Sequence, residues 1–519
     1  MKTLSISVPS KKRILIVNCF FDEMRFFVGR NTQVPQAMGP VYLAGAFAPE
    51  TCEIRLFSEM WSGPLVDEKL LSWPDMLVLT GLNTAFDRML HLTAYVRTKN
   101  PQVIVVAGGP AVRNLPNLSK KYFDYVCLGD VEELQLVAEN VFGPAYVSPV
   151  MRPRHDLAYW MNHFGYVESS RYCNFKCAFC SLTGEGHRYR KYDLEFIRQQ
   201  IVSLKGRKDP IIFIDNNFYG NDREFFKDRI ELLKELKKTG YVKSWAALVT
   251  NDFFHREENL ELAKRAGCMG LFSGLESFDA DWLLSVNKGQ NTRMSHVKIV
   301  RDCLINGIVF LYGSMLDVAS RHLDDIRREL EFIFTNPEIT LPSYLSIIVP
   351  ILGTPLFYDC LDKGLLLPLT KLRDMESTTL CVKPLDPIEK VRQFVYDIQT
   401  LNGYKTRVAF HSYRFYRNYR RYLTPFQMAI ALSNALKITF QNTFNLTAIP
   451  RSLRPRNPRR THLTSTEPLD QVYTPAFPVH SRFADYFKPT LLTDDKGHIT
   501  KDLEKDIFEN KMQCLRAAV

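Results

Sequence analysis

The sequence predicts an α/β protein in three parts: a doubly wound parallel sheet (Rossmann-like) at the amino end, a second strand–helix series of six units, and a mainly helical carboxyl-terminal region. Three observations predict it. Short apolar strands alternate with helical periodicity over the first third of the chain. The alternation restarts near residue 164, and it stops near Pro384. Short apolar strands bounded by Gly, Pro and Asp, alternating with helices, mark parallel sheets covered on both faces.

After a tail at 1–12, the first series (13–146) carries strand-like runs at 13–19, 52–57, 76–80, 103–107 and 125–128, with helical periodicity at 41–47 and 87–97. A Pro-containing segment at 147–163 reads as a linker. The second series (164–383) has strands at 166–169, 211–215, 246–250, 270–273, 309–315 and 345–349, and helices at 194–204, 222–238, 260–266, 294–306 and 324–334. In the last region (384–519), residues 404–422 interleave arginine with aromatics, 425–440 read as an amphipathic helix, 450–460 are basic and Pro-rich, and 493–512 form a charged helix or tail.

A chain of 519 residues has ample core for two or three domains. Its 67 Lys and Arg against 56 Asp and Glu give a formal charge of +11, a field that attracts nucleic acid, anionic lipid or an acidic substrate without selecting among them. Eleven cysteines at irregular spacing, after a start (Met1-Lys2-Thr3-Leu4-Ser5) with no long apolar run, predict a reducing, cytoplasmic setting without disulfides. No stretch nears the ~18 uninterrupted apolar residues of a membrane span.

The chemistry concentrates in Cys173, Cys177 and Cys180. Three thiolates on one tight loop can hold three corners of a four-iron cluster and leave one iron open to another ligand. Zinc also takes thiolates, but a structural zinc needs a fourth protein ligand. The nearest candidate, His187, lies seven residues beyond Cys180 in a glycine-containing loop.

This spacing, with an aromatic just before the last cysteine, resembles the radical S-adenosylmethionine (SAM) superfamily. The resemblance implies that the open iron chelates the amino and carboxylate groups of SAM, and that an injected electron cleaves the sulfonium to a 5'-deoxyadenosyl radical. It further implies that Phe179 lies against the adenine, and that the second series is the partial (β/α)6 barrel of that family. Active groups in such a barrel belong at the carboxyl ends of the strands. Those ends carry Asp215-Asn216-Asn217, Asn251-Asp252, Gly274-Leu275-Glu276-Ser277, Asp317 with Arg321, and Gly353-Thr354-Pro355. By resemblance, Glu276 and Ser277 contact SAM, Asp215 and Asn217 join them, and Gly-Thr-Pro closes the barrel. The planar fork of Arg321 suits the SAM carboxylate. Helix capping is the competing reading for each Asp, Asn and Ser, and solvent exposure for the arginine.

In a doubly wound sheet, ligands bind beyond the carboxyl ends of the strands. Thr80-Gly81, Gly108-Gly109-Pro110 and Gly129-Asp130-Val131-Glu132 stand there. None completes Gly-x-Gly-x-x-Gly, which argues against a nicotinamide site. Placed directly before the cysteine triplet, this block resembles the cobalamin-binding domain of cobalamin-dependent radical SAM enzymes, over about the first 380 residues. The resemblance implies cobalamin contacts at Thr80, Gly81, Gly108, Gly109, Gly129 and Glu132. The Asp-x-His-x-x-Gly signature of an axial histidine is absent. His91, the only histidine before His155, falls mid-helix and reads as a surface or core residue.

The resemblance thus implies an enzyme that uses a [4Fe-4S] cluster, SAM and cobalamin to modify, foremost to methylate, an unactivated carbon of a small or lipophilic substrate. An electron donor such as flavodoxin or ferredoxin is expected. The alternatives are a cyclase or oxidase with the same cofactors, a noncatalytic iron–sulfur carrier or sensor, and a tRNA methylthiotransferase whose second cluster would use Cys19, Cys52 and Cys127. The uneven intervals of these three favour core thiols, and nucleic acid is not an expected partner. The arginine–aromatic run reads first as a helix packing its aromatic face on the barrel; base stacking and seating on an anionic membrane surface are the alternatives.

Overall fold

The computed structural model describes residues 11–21, 37–161, 163–206, 208–375, 379–400, 403–433 and 473–518. Strands β1 (Lys12–Asn18), β2 (Cys52–Ser58), β3 (Met76–Thr80), β4 (Ile104–Gly108) and β5 (Tyr125–Cys127) form a parallel sheet in the order β2-β1-β3-β4-β5. Ile14 to Val17, Leu77, Leu79, Val105 and Ala107 are fully buried, because helices cover both faces. The winding reverses between β1 and β3, and an open sheet of this kind places its ligand crevice at that reversal.

The expected helix at 41–47 is a helix over Gly39–Leu43 followed by a 3-10 turn over Ala44–Ala46. The linker crosses there so closely that a Cβ on Gly45 would lie 2.3 Å from the Arg152 carbonyl oxygen. The linker is therefore packed onto the first domain. The other elements of the first series begin and end within two residues of the expected positions.

The second sheet begins with β6 (Gly165–Val167). A short antiparallel ribbon, β7 (Ser170–Arg171) with β8 (Arg190–Lys191), brackets the cysteine loop. Then β9 (Ile211–Phe213), β10 (Trp245–Leu248), β11 (Cys268–Glu276), β12 (Val309–Leu316) and β13 (Tyr344–Ile347) add in sequence, all parallel, as an open partial barrel. The helix Arg223–Lys238 shows why the connections are helical. Asp222 caps it by accepting from the Phe225 N–H, and its apolar positions at helical spacing, from Phe225 and Phe226 to Leu236, are buried against the sheet.

The carboxyl-terminal region divides. Helices Ile388–Thr400 and Lys405–Tyr419 belong to the barrel side. Residues 473–518 return to the first domain, where the turn Ser481–Phe487 covers the helix Phe86–Lys99. The Tyr473 hydroxyl donates to Asp87 at 2.9 Å, and Asp506 accepts from the backbone N–H groups of Asn117 and Leu118. The 501–518 helix is thus a docked surface helix. The stretch at 450–460 and the second half of the 425–440 helix lie outside the described residues; 425–433 are helical. No helix among the described residues is long and apolar enough to cross a membrane.

His91 is a core residue under this returning segment. Its ring stacks on Phe487 at 4.7 Å and meets the edge of Tyr473 at 4.7 Å, and Nε2 has no hydrogen-bond partner. Burial, reinforced by Arg88 and Arg373, holds its pKa well below the ordinary histidine value. The unfolded chain therefore takes up a proton near pH 6.5 that the native state refuses, so stability is present above that pH and falls below it by about 1.4 kcal/mol per pH unit. His155 and His296, each lowered to about 4 by burial, act in the same direction. Thermal unfolding at pH 7.0 and 5.5 should show the loss, and His91→Leu should reduce it; an unchanged pH slope would remove His91 from this account.

Candidate active site

The cysteine loop is anchored from below by polar groups at the end of β9. Asp215, fully buried, accepts from the N–H and Oγ of Ser169 at 3.1 and 2.6 Å and from Ser170 Oγ at 2.5 Å. Arg229 stands 3.8 Å away, its guanidinium 4.0 Å from the ring centroids of both Phe218 and Phe225. Burial raises the Asp215 pKa and lowers that of Arg229. Asn217 donates to Asn174 Oδ1 at 2.7 Å and accepts from the Thr250 N–H at 3.3 Å. Asp215 and Asn217, expected beside SAM, are thus placed as anchors of the loop that carries the thiols.

The other side of the loop is held by backbone contacts. The Ala178 N–H donates to the Val286 carbonyl at 2.9 Å, and the Leu356 N–H donates to the Ala178 carbonyl at 3.0 Å. A Cβ on Gly184 would lie 2.3 Å from the Gly353 carbonyl oxygen, and one on Gly353, whose φ is +80°, would lie 2.2 Å from Asn114 Oδ1. The Gly-Thr-Pro element therefore wedges between the cysteine loop and the first domain.

Cys177 and Phe179 are buried with Trp282, Leu283, Val286 and Ile348. Burial pushes the Cys173 thiol up to about 11 and raises that of Cys180. Backbone N–H groups, of Phe175 beside Cys173 and of Leu182 and Thr183 beside Cys180, oppose this, together with the charge of Lys288. The Lys288 Nζ lies 2.8 Å from Glu276 Oε1 and 5.4 Å from the Phe179 ring centroid, and its charge favours the thiolates. Gln290 Nε2 is 3.6 Å from Cys177 Sγ. Three soft donors beside a buried cation and an amide donor fit an anionic iron–sulfur cluster, whose binding would displace the thiol protons. Among the described residues no three His, Cys, Asp or Glu groups converge on a position for a single metal ion, and the His187 ring packs on Tyr172 at 4.6 Å.

Glu276 has φ of +66°, a left-handed conformation that costs a non-glycine residue of order 1–3 kcal/mol. A Cβ on Gly274 would lie 2.2 Å from Glu276 Oε1, so glycine at 274 makes room for the carboxylate to fold back toward Lys288. Ser277 Oγ donates to Glu329 at 2.9 Å and receives Arg321 Nη1 at 3.2 Å, while Arg321 Nη2 pairs with Glu329 at 2.6 Å. The two ends of the Arg321 fork are therefore engaged by Glu329 and Ser277, while its buried Nε, 3.5 Å from Asp279, has no hydrogen-bond partner. Asp317 accepts from Trp282 Nε1 at 2.9 Å. Burial pushes the Asp252 carboxyl up to about 6, and its Oδ2 has no partner.

In the first domain, the Thr80 carbonyl accepts from the Cys19 N–H at 2.7 Å. Gly109, with φ of +105°, sits so close that a Cβ would lie 2.7 Å from the Gly81 carbonyl oxygen. A Cβ on Gly108 would meet Cys127 at an ordinary 3.4 Å. Gly81 and Gly109 form a step without side chains beside the reversal point. The Gly129 N–H donates to Glu133. Glu132 pairs with Arg171 at 3.2 Å and Arg190 at 3.4 Å, so it joins the two domains. Arg171 also reaches Glu168 at 3.1 Å and Asp130 at 3.6 Å, and the Tyr172 hydroxyl donates to Asp130. A cavity of about 230 Å³ opens at this junction, lined by Tyr42, Asp130, Glu168, Arg171, Tyr172 and Asn216 among others. Cys52 opens β2 at the amino edge of the sheet, whereas Cys19 and Cys127 stand at the carboxyl edge. The three cannot share a second cluster.

Residues 167–319 match the family description Radical SAM superfamily, and the cysteine triplet lies within that span. Over that span the chain resembles the radical SAM superfamily, and the resemblance makes a cluster and SAM the expected cofactors. Its two-sheet fold is similar to that of two solved structures. The cobalamin-dependent radical enzyme OxsB, solved with aqua-cobalamin and SAM, aligns over 85% of this chain and 74% of its own at a TM-score of 0.55 and 15% identity. The methyltransferase TsrM from Kitasatospora setae, solved with tryptophan and a SAM analogue, aligns over 98% of this chain and 100% of its own at a TM-score of 0.52 and 14% identity. Among curated relatives, the bacteriochlorophyllide d C-12(1)-methyltransferase of Chlorobaculum tepidum is 29% identical over 206 residues, 38% of this chain and 42% of that protein. The hopanoid C-2 methylase of Rhodopseudomonas palustris is 25% identical over 295 residues, 52% of this chain and 54% of that protein. The chain thus matches about half the length of these two relatives.

Neither half of the Glu276–Lys288 pair can be removed alone without leaving a buried charge. Lys288→Met and Glu276→Gln should each lower the unfolding free energy by roughly 3 kcal/mol, and the double substitution should recover at least half of the loss. Denaturant unfolding of the four proteins measures it; strictly additive losses would show that the two groups are not coupled.

Proposed function

We propose that this protein is a cobalamin-dependent radical SAM methyltransferase acting on an unactivated carbon of a lipophilic, multi-ring substrate. The observation that carries the reading is the junction itself: Arg171 and Tyr172, immediately before Cys173, are bonded to Asp130 and Glu132 at the carboxyl edge of the first sheet. The carboxyl edge of the first sheet therefore meets the start of the cysteine loop, with a cavity between them. The substrate class is supported by the two curated methylases, whose names specify a bacteriochlorophyllide and a hopanoid.

The Gly81–Gly109 step fits a flat macrocycle, because no side chain there holds it off the backbone. Thr80, Gly108, Gly129 and Glu132 border the same edge. Cys173, Cys177 and Cys180 would hold the cluster, with Phe179 and Glu276 nearest the SAM position. When bound, these groups supply the electron transfer, the hydrogen-abstracting radical and the methyl group. The chain contributes position and dryness: Trp282, Leu283, Val286 and Ile348 keep water from the cysteine wall. Lys288 offsets negative charge gathered there, and Asp252, with its carboxyl near 6, can take or release a proton close to neutral pH. An electron donor such as flavodoxin or ferredoxin would complete the system.

Anaerobic reconstitution, reduction and addition of SAM should release 5'-deoxyadenosine, and the purified protein should carry a cobalamin visible spectrum. With its substrate, the product should gain the mass of one methylene. Cys177→Ala should abolish 5'-deoxyadenosine release while cobalamin remains bound. Product lighter by two hydrogens would favour cyclisation or oxidation, and a loaded cluster that leaves SAM intact would overturn the enzymatic reading.

A further inference from the structure

The helix Lys405–Tyr419 turns one face inward and leaves the other bare. Val408, His411, Phe415 and Tyr419 are buried at helical spacing. His411 Nε2 lies 3.0 Å from the Ile339 carbonyl oxygen, and the Tyr419 hydroxyl donates to that of Glu338 at 2.7 Å. The expectation that the aromatic face packs on the barrel therefore accounts for half of the aromatics only. Phe410, Tyr413, Tyr416, Tyr422 and Phe426 are 45–62% exposed, and these five are half of all exposed Phe and Tyr side chains among the described residues.

Arginine occupies the same outer face. Arg414, Arg417, Arg420 and Arg421 are exposed, and none has an ion-pair partner among the described residues. The Arg414 guanidinium lies 5.7 Å from the Phe410 ring centroid, and that of Arg417 lies 5.9 Å from Tyr413. The acidic groups on the elements packed beneath are engaged elsewhere: Glu331 with Arg407, Glu338 with Arg301 and Asp302 with Lys298. The sequence sharpens the asymmetry. Between Asp397 and Glu467 there are twelve Lys and Arg and no Asp or Glu, which leaves 55 basic and 56 acidic residues in the rest of the chain. The whole positive excess of the protein resides in this one region.

We propose that the outer face of the 405–419 helix and the adjoining turn seats the protein on an anionic lipid bilayer surface. Aromatic rings enter the headgroup boundary, and arginines on the same face pair with lipid phosphates, the combination that holds a helix in the interfacial plane. Shape favours lipid over nucleic acid. Strand-binding proteins track a phosphate backbone with a positively charged groove, whereas the outer side of a helix is convex. This inference rests on the surface alone and holds whether or not the catalytic reading does. If both hold, the enzyme collects its lipophilic substrate where that substrate is dissolved.

The test is co-sedimentation of the full-length protein with two kinds of vesicle, phosphatidylcholine alone and phosphatidylcholine with about 30% phosphatidylglycerol, whose anionic headgroups give the second surface the negative potential that attracts basic segments. Binding is expected to the second only, and to weaken with added salt. Arg414→Gln/Arg417→Gln/Arg420→Gln/Arg421→Gln should lower partitioning by roughly tenfold or more. Phe410→Ser/Tyr413→Ser/Phe426→Ser should also lower it, and circular dichroism and thermal melting must show both variants folded. Variants that bind as well as the parent would overturn the assignment. So would a parent that ignores both vesicles, or one that binds a labelled single-stranded RNA through these arginines and no vesicle.

Discussion

The structure depends on a constraint of position: a loop bearing three cysteines must be fixed relative to the edge of a separate sheet. Arg171 meets it by standing among Glu132, Asp130 and Glu168, three carboxylates contributed by both domains. A guanidinium has enough donors in one plane to serve them together. Tyr172, held in the left-handed region at φ +63°, adds its own bond to Asp130. A strained residue persists only where its surroundings over-determine it, and here two domains do so immediately before the first cysteine.

Around this junction the interior keeps its charges in pairs. Glu276 with Lys288, Asp215 with Arg229, Glu329 with Arg321 and Glu59 with Arg88 are all largely buried. Such pairs contribute little net stability, but removing either partner is costly, so each fixes the geometry of what it touches. Asp215 and Arg229 support the cysteine loop from beneath, and Glu329 and Arg321 brace Ser277 at the end of β11.

Much of this was legible in the sequence because the signals are local. Alternating apolar strands and helical spacing locate both sheets to within about two residues, since burial on both faces leaves continuous apolar runs. The cysteine triplet is legible for the same reason: its ligands lie within eight residues. What could not be read is who pairs with whom. Asp215, Asn217 and Arg321 stand at the strand ends where a ligand would be met, and the structure bonds them to Ser169, Asn174 and Glu329, partners 46, 43 and 8 positions away. Lys288 and Gln290 had no motif to announce them, because their relation to Cys177 exists only once β11 and the following turn are folded. The split of the arginine–aromatic helix into a packed and a bare face was half visible; spacing shows a periodicity but not which rings are covered.

The return of residues 473–518 to the first domain carries a consequence for biogenesis. The helix Phe86–Lys99 is finished early in synthesis, but Tyr473, Phe487 and the 501–518 helix that cover its side of the domain are made only after the whole barrel that lies between them in sequence. Until then an apolar surface around His91 and Tyr95 stands open, a natural binding place for a chaperone. The first sheet is begun before the barrel but covered only after it, so a nascent chain cannot mature in the order in which it is translated.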